Sequence, residues 1–155
     1  MTFEEITNLL ETPKLLTKDT IKAIVAEIAP KDATQEEREI IEESLSLYAK
    51  VGNYSAWLTE VDSHANTLLE RITPEDSEAQ TTWRVKLLRW YYITGVLAGI
   101  LFNDATQKLS YYQKGIEYAQ DFLANGETAA AVREQVLKLY FNAGFIQKKL
   151  LPKRH

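Results

Sequence analysis

The chain contains no cysteine. Disulfides, thiolate zinc sites, iron–sulfur clusters and cysteine nucleophiles are therefore excluded. Glycine and proline are also scarce, with six and four residues among 155, so few positions interrupt the backbone. A chain of this length can bury roughly 70% of the surface that it exposes when unfolded, which suffices for a core without a metal or a disulfide. We therefore expect one globular domain, 1–155, with no cofactor.

Long apolar segments are also missing. The longest run, 91–102, has 12 residues and is too short to cross a bilayer as a helix. Residues 1–5 are acidic and lack the basic and apolar regions of a secretory signal. We therefore predict a cytoplasmic protein without a membrane span.

Motifs of common enzymes are absent as well, since the sequence has no GxSxG, no P-loop and no GxGxxG. His64 follows Glu60 by one helical turn, a spacing that can bind a metal, but no third ligand is close in sequence. A structural or solvated histidine is the simpler interpretation. The acids of 36–43 are typical of an exposed first part of a helix rather than of paired catalytic carboxylates. We expect no enzyme activity.

Signals for helix ends divide the chain. Four helix starts are marked by a capping residue: Thr2 with Glu5, Thr34 with Glu37, Thr73 before Pro74, and Asp104. Gly126 suits the residue that follows a helix C-terminus. These signals predict helices at roughly 2–11, 18–29, 35–51, 54–72, 74–102, 105–124 and 128–149.

Apolar periodicity supports the later helices. Segment 105–124 has one stripe at 109, 112, 116, 119 and 123 and a second at 111, 115, 118 and 122. A helix that is apolar on two faces lies between neighbours. Segment 74–102 is apolar around most of its circumference, so we place it at the centre of the fold. Its small residues Gly95, Ala98 and Gly99 should let another helix approach closely.

Several of these segments resemble tetratricopeptide (TPR) repeats. Residues 111–119, YYQKGIEYA, are similar to the second helix of such a repeat, and 48–54, YAKVGNY, to its inter-helix turn. Residues 90–95 and 142–145 resemble first helices, with Gly95 and Gly144 as packing glycines. Leu45, Gly95 and Gly144 then recur at spacings of 50 and 49, whereas the standard repeat has 34 residues.

The helix signals predict an all-α fold of about six or seven helices, and the resemblance implies how these helices pack. Antiparallel hairpins would stack as a TPR-like right-handed array, and a compact helical bundle is the alternative. On either arrangement residues 1–33 form N-terminal helices, 35–72 a first hairpin, 74–124 a second hairpin and 128–149 a closing helix.

The resemblance also implies a partner-binding inner surface, formed by the first helix of each pair. Counting from the two glycines places eight residues on or near it: Arg89, Tyr92, Val96, Lys138, Phe141, Asn142, Phe145 and Lys148. Some families of this kind clamp a peptide carboxylate with basic and asparagine side chains, a pattern that Lys138 and Asn142 partly fit.

Charge is distributed unevenly along the chain. Residues 1–78 hold 17 acids and 7 bases, a net charge of −10, whereas residues 79–155 hold 5 acids and 11 bases, a net charge of +6. The bases of 147–155 favour the dipole at a helix C-terminus, or alternatively contact phosphates or an acidic surface. So few bases on an acidic protein disfavour nucleic acid. An acidic protein or peptide partner is expected, and a homo-oligomer is a second expectation.

Three function classes remain open. The leading one is a non-catalytic protein- or peptide-binding adaptor or scaffold. The first alternative is an obligate subunit of a homo- or hetero-oligomeric assembly, which should expose a large apolar patch. The second is a helical enzyme or small-ligand carrier, with a site around His64 or the tyrosines, which should enclose a pocket with converging polar groups.

Overall fold

The computed structural model describes residues 1–150, with side chains described through residue 144. In that range the chain forms seven α-helices and one short 3₁₀ helix, and no strand. The prediction of an all-α fold with about six or seven helices is therefore confirmed. Among the described helices, none combines the length and the apolar character needed to cross a membrane.

The helices follow the predicted division closely. In chain order they are α1 (Phe3–Glu11), the 3₁₀ helix (Pro13–Leu15), α2 (Lys18–Ile28), α3 (Gln35–Val51), α4 (Tyr54–Leu69), α5 (Glu78–Ile100), α6 (Ala105–Ala124) and α7 (Ala130–Leu150). They form two compact units, residues 1–64 and residues from 65 onward, and the boundary falls within α4. The single-domain organisation and the TPR-like stacking stay predictions.

Local capping explains where several helices begin. The Thr34 hydroxyl accepts a hydrogen bond from the Glu37 N–H at 3.1 Å, and the Glu37 carboxylate accepts one from the Thr34 N–H at 3.0 Å. Thr2 and Glu5 form the same reciprocal pair, so both predicted capping boxes are confirmed. Asp104 caps α6 by accepting from the N–H of residue 107 at 3.0 Å, also as predicted.

The glycine after α6 is confirmed as a helix terminator. Gly126 has φ of +97°, a left-handed conformation that glycine adopts without a steric penalty. Its N–H donates to the Leu123 carbonyl at 3.1 Å, and the Glu127 N–H donates to the Phe122 carbonyl at 3.0 Å. This pair of bonds is the Schellman motif, which satisfies carbonyls that the helix leaves without partners.

The predicted start of α5 at Thr73 and Pro74 is wrong, since the helix begins at Glu78 with Ser77 as its capping residue. The cause is a set of contacts from the helix back to the loop before it. The Gln80 amide accepts from the Thr73 N–H at 2.7 Å and donates to the Arg71 carbonyl at 2.9 Å. These bonds, together with those from Arg84 described below, hold residues 71–75 outside the helix.

The predicted exposure of one acidic residue of α3 is also wrong. The acids of 36–43 are predicted to be exposed, but Glu37 is fully buried. Its carboxylate serves the capping box, so the side chain folds back over the helix N-terminus instead of extending into water.

The N-terminal unit is built around α2 and α3, which pack against each other, while the 3₁₀ helix packs against α1 and α3. Ile24, Ile41 and Leu45 are buried in its core. The Trp57 indole N–H donates to the Ser44 carbonyl at 3.0 Å, which joins α4 to α3 within residues 1–64.

In the second unit α6 packs between α5 and α7, as its two apolar stripes predict. The unit depends on glycines where helices approach each other. A Cβ atom on Gly95 would lie 2.5 Å from the Tyr112 ring, and one on Gly115 would lie 2.9 Å from a Leu139 methyl group. The predicted close approach of a neighbouring helix at Gly95 is thus confirmed. Gly144, assigned the same role, has no described atom within 4 Å of such a Cβ.

Candidate functional site

The first half of α7 buries one face and exposes another. Val132, Val136, Leu139 and Ala143 are buried at helical spacing, and Leu139 packs against Gly115 of α6. Leu137, Tyr140 and Phe141 lie on the opposite side of the helix, because successive side chains are 100° apart, whereas Gln135, between Val132 and Val136, is itself buried. The side of α7 that packs against its neighbours therefore determines which residues of the helix are exposed.

Three large apolar side chains lie on the outward face. Leu137 is 69% exposed, Tyr140 is 45% exposed and Phe141 is 78% exposed. We call these three residues the α7 outer face. A single exposed leucine is common on protein surfaces. Three large apolar side chains within five residues form an apolar patch, which is typical of a surface that a partner covers.

A shallow pocket adjoins this face. It has a volume of about 450 Å³ and is lined by Gln113, Ile116 and Glu117 of α6 and by Tyr140, Ala143 and Gly144 of α7. The Gln120 amide donates to the Tyr140 hydroxyl at 2.9 Å, which holds the tyrosine ring beside the pocket. Because Gly144 has no side chain, the backbone of α7 is open to close approach there.

The predicted site residues do not all share one surface. Tyr92 and Val96 are buried, and Arg89 is half-buried with an Nε atom that has no hydrogen-bond partner among the described residues. Phe141 is exposed on the α7 outer face. Two of the predicted residues, Phe145 and Lys148, and the basic segment 147–155 lie outside the described side chains.

Lys138 and Asn142 of the predicted site both have contacts inside the structure, and Lys138 lies over the ring of a third predicted residue, Tyr92. The Lys138 ammonium lies 5.8 Å from the centre of the Tyr92 ring, a cation–π distance. The Asn142 amide donates to the Lys138 carbonyl at 2.7 Å, so it is used within its own helix. The arrangement therefore orders this part of α7 against α5 and does not leave the Asn142 amide aimed at a peptide carboxylate.

Most aromatic side chains of the second unit are structural. Tyr91 stacks on Tyr118 with ring centres 5.8 Å apart, and Tyr92 stacks on Tyr112 at 6.1 Å. These pairs join α5 to α6. Burial raises the pKa of Tyr112, the charge of Tyr92 adds to the effect, and the hydroxyl has no hydrogen-bond partner among the described residues. The phenol is therefore neutral and packs as a hydrophobic ring.

A buried ion pair was missed by the sequence reasoning. Arg84 Nη1 lies 2.7 Å from Glu127 Oε1, and both side chains are more than nine-tenths buried. Arg84 Nη2 donates to the carbonyls of Thr73 and Glu75, at 2.9 and 2.8 Å. Its sequence signal was weak, because Arg84 is one of three bases in α5, with Lys86 and Arg89, and its position in the sequence does not mark it as the buried one.

The Glu127 carboxylate completes this cluster. It accepts from the Thr81 hydroxyl at 2.8 Å and from the N–H groups of Thr128 and Ala129, just before α7, at 3.1 and 3.2 Å. Burial alone raises the pKa of Glu127, but the hydrogen bonds and the positive charge of Arg84 outweigh burial and leave it below its ordinary value. The pair thus fastens the start of α7 to α5 and to the loop before α5.

The N-terminal unit has a surface groove of its own, between α2 and α3. It has a volume of about 500 Å³ and is lined by Leu16, Lys18, Ile21, Lys22, Glu39, Glu42, Glu43, Ser46 and Ala49. We call it the α2–α3 groove. Its lysines come from α2 and its glutamates from α3, so the two walls carry opposite charge over an apolar floor. Glu39 and Glu43, one helical turn apart, both line it and lie on the same face of α3.

The residues considered for metal binding do not converge. His64 Nε2 lies 3.7 Å from Glu43 Oε1 of α3, and no group of three or more potential ligands occurs among the described residues.

No protein-family model, no curated protein and no solved structure matches this chain. The functional argument therefore depends on the surfaces described above.

Proposed function

We propose that this chain is a non-catalytic protein-binding module and that the α7 outer face is its binding surface. The observation that carries the proposal is the exposure of Leu137, Tyr140 and Phe141 on one side of α7, beside a pocket that a partner side chain can enter. Centrally placed aromatic and aliphatic side chains supply most of the binding energy in protein interfaces.

The face has the dimensions of a helix-binding surface. Together with Gly144 one turn further on, it spans two helical turns, about 10.5 Å at 1.5 Å per residue. The bare backbone at Gly144 permits close approach of a partner, as small residues do where helices pack. An amphipathic helix is the partner form that fits such a row of anchors. The resemblance of 90–95 and 142–145 to TPR repeats supports the same class of function.

The surface is also held in place. The Arg84–Glu127 pair fixes the start of α7, and the contact between Leu139 and Gly115 fixes its middle. A rigid presenting helix lowers the entropy lost on binding. The chain therefore offers its partner a preformed face, not one that folds on contact.

The proposal is tested with a matched pair of phenylalanines. Phe141 of the α7 outer face is 78% exposed, and Phe3 of α1 is 59% exposed. A photo-crosslinking amino acid at position 141 should capture a defined protein in cells of the source organism, whereas the same group at position 3 should not. Phe141→Ser should abolish that capture in competition, and Phe3→Ser should leave it unchanged.

In this experiment, capture of a foreign protein counts as protein binding, and so does capture of a second copy of this chain. The proposal is wrong if positions 141 and 3 yield the same products, or if Phe141→Ser binds its captured partner as well as wild type does. Circular dichroism melts of both serine variants provide the folding control, because substitutions at exposed positions usually change the free energy of unfolding by less than about 0.5 kcal/mol.

A further inference from the structure

The pocket beside the α7 outer face, which we call the α6–α7 pocket, contains one charged side chain. Of the six residues that line it, Glu117 alone is charged, and it is exposed on α6. None of the ion pairs among the described residues includes Glu117. The pocket therefore presents a carboxylate that has no counter-charge in the described part of the chain.

The described bases of the same two helices do not enter this pocket. Arg133, which is exposed on α7, is not among the lining residues. The three described lysines of α6 and α7 each lie over a tyrosine ring, with the ammonium between 5.2 and 5.9 Å from the ring centre. They are Lys108 over Tyr112, Lys114 over Tyr111 and Lys138 over Tyr92. The negative charge in the pocket is thus open to a cation from outside.

The rest of the pocket suits the stem of a long basic side chain. Ile116 and Ala143 provide apolar surface, and Gly144 leaves the α7 backbone bare. Tyr140 contributes its ring, since its hydroxyl is already bound by Gln120. Long basic side chains pack their methylene groups on apolar surface, and their cations are attracted to the face of an aromatic ring. An apolar floor, an aromatic wall and an exposed carboxylate therefore match one basic side chain.

Arginine fits this set of groups better than lysine does. Gln113 is exposed one turn before Glu117 on α6, and its amide has no hydrogen bond to another described residue. A planar guanidinium donates several hydrogen bonds in fixed directions, so it can bind a carboxylate and an amide oxygen at once, and it also stacks on aromatic rings. A lysine ammonium is a more strongly hydrated point charge.

We propose that the α6–α7 pocket binds a basic side chain, preferably arginine, of a partner helix whose apolar residues cover Leu137 and Phe141. The inference rests on the proposed function, because it uses the α7 outer face and adds the chemistry of the partner. Residues three or four apart lie on one face of a helix, so the basic residue of the partner stands one turn from an apolar anchor. The expectation of an acidic partner came from the bases of the C-terminal half, and no described base lines this pocket.

A peptide selection tests this chemistry. A phage library of randomised helical peptides is selected on the purified full chain, and peptides that also bind Phe141→Ser are removed. The peptides that remain should be enriched in arginine or lysine three or four residues from an apolar residue. Selection on Glu117→Gln should retain the apolar residues and lose the enrichment of basic ones.

Glu134→Gln is the matched control. Glu134 is an exposed glutamate of α7 that does not line the pocket, so its replacement changes the net charge equally. Selection on this variant should enrich basic residues as wild type does. An enrichment that is lost in Glu134→Gln and kept in Glu117→Gln would overturn the inference, because the attracting charge would then lie outside the pocket. Circular dichroism melts of both variants provide the folding control.

A second measurement tests the direct contact. The tightest selected peptide is synthesised with arginine and with citrulline, an uncharged side chain of the same shape, at its basic position. Citrulline should weaken binding to wild type roughly tenfold, because a hydrogen-bonded charge pair is lost. It should weaken binding to Glu117→Gln clearly less, since mainly the attraction to the Tyr140 ring is then lost. Equal weakening with both proteins would overturn the inference.

The outcomes separate this inference from the proposed function. Selected peptides that depend on Phe141 but lack basic residues would support the protein-binding module and show that the partner chemistry proposed here is wrong. A selection that yields no peptide dependent on Phe141 would contradict both.

Discussion

The phenol ring of Tyr112 fills the space in which a side chain at position 95 would lie. A Cβ atom on Gly95 would be 2.5 Å from Cε1 of that ring and 3.2 Å from the Lys108 carbonyl oxygen. The ring cannot move away easily, because it is fully buried and stacks on Tyr92. The distance between α5 and α6 therefore depends on the absence of a side chain at residue 95.

Gly95→Leu should lower the free energy of unfolding by roughly 1–3 kcal/mol through overpacking. Gly144→Ala is the matched control, because a Cβ there meets no described atom within 4 Å. That change should raise the free energy of unfolding by up to about 1 kcal/mol, the helix-propensity difference between alanine and glycine. Urea denaturation of both variants measures the contrast. Equal midpoints for wild type and Gly95→Leu would show that α6 does not pack against residue 95.

Tyr112→Phe should stabilise the protein. The change removes a buried hydroxyl without a hydrogen-bond partner among the described residues, a group whose burial costs about 1–3 kcal/mol. The effect should also depend on pH. An unfolded tyrosine ionises near pH 10, whereas burial raises the pKa of folded Tyr112, so the stability of wild type is complete below about pH 10 and falls above it.

The measurement for Tyr112→Phe is urea denaturation at neutral and alkaline pH. The variant should lose less stability between the two conditions than wild type does. Some loss should remain, because burial and then the charge of Glu11 also raise the pKa of Tyr48. A variant less stable than wild type at neutral pH would indicate that the Tyr112 hydroxyl has a bound partner.

Arg84→Met should be strongly destabilising, by about 3 kcal/mol, because it leaves the Glu127 carboxylate buried without its ion-pair partner. This value is the low end of the usual range, since Glu127 keeps its bonds from Thr81 and from the backbone before α7. The double variant Arg84→Met with Glu127→Gln should cost less than the sum of the two single variants. Lys86→Met, an exposed base on the same helix, is the control and should change stability little. Strict additivity of the two single effects would contradict a direct interaction.

Acid should remove the contribution of this pair. The pKa of folded Glu127 lies below that of an unfolded glutamate, about 4.3, so its stabilisation is present above that pH and disappears as the pH falls through the lower folded value. Glu127→Gln should therefore show a shallower loss of stability between neutral pH and acid than wild type. Thermal melts at a series of pH values compare the two slopes, and identical slopes would exclude Glu127 as a contributor.

The candidate site was only partly predictable from sequence. Phe141 was chosen, but Tyr92 and Val96 were chosen with it and are buried. That choice treated Gly95 and Gly144 as equivalent packing glycines, but of the two only Gly95 has a neighbouring helix against it in the described part of the chain. Leu137 and Tyr140 were missed, because α7 has apolar residues on two sides and periodicity alone does not say which side a neighbouring helix covers.

The sequence by itself determined the helices whose ends are encoded locally. The bounds of α3 and α6 agree with the predictions because the signals at their ends, Thr34 with Glu37 and Asp104 with Gly126, act within a few residues of the backbone groups that they satisfy. The apolar stripes of α6 likewise required only helical periodicity to predict that two neighbours cover it.

Only the tertiary structure decided features that depend on residues far apart in the chain. The start of α5 moved from 74 to 78 because Gln80 and Arg84 bind the backbone of the preceding loop, and Arg84 does so while paired with Glu127, 43 residues away. A carboxylate and a guanidinium at such a separation follow no periodic pattern, and their attraction exists only after folding has brought them into one buried site. The exposure of the α7 outer face has the same origin, because periodicity places Leu137 and Phe141 on one side of a helix, but only packing decides which side the neighbouring helix covers.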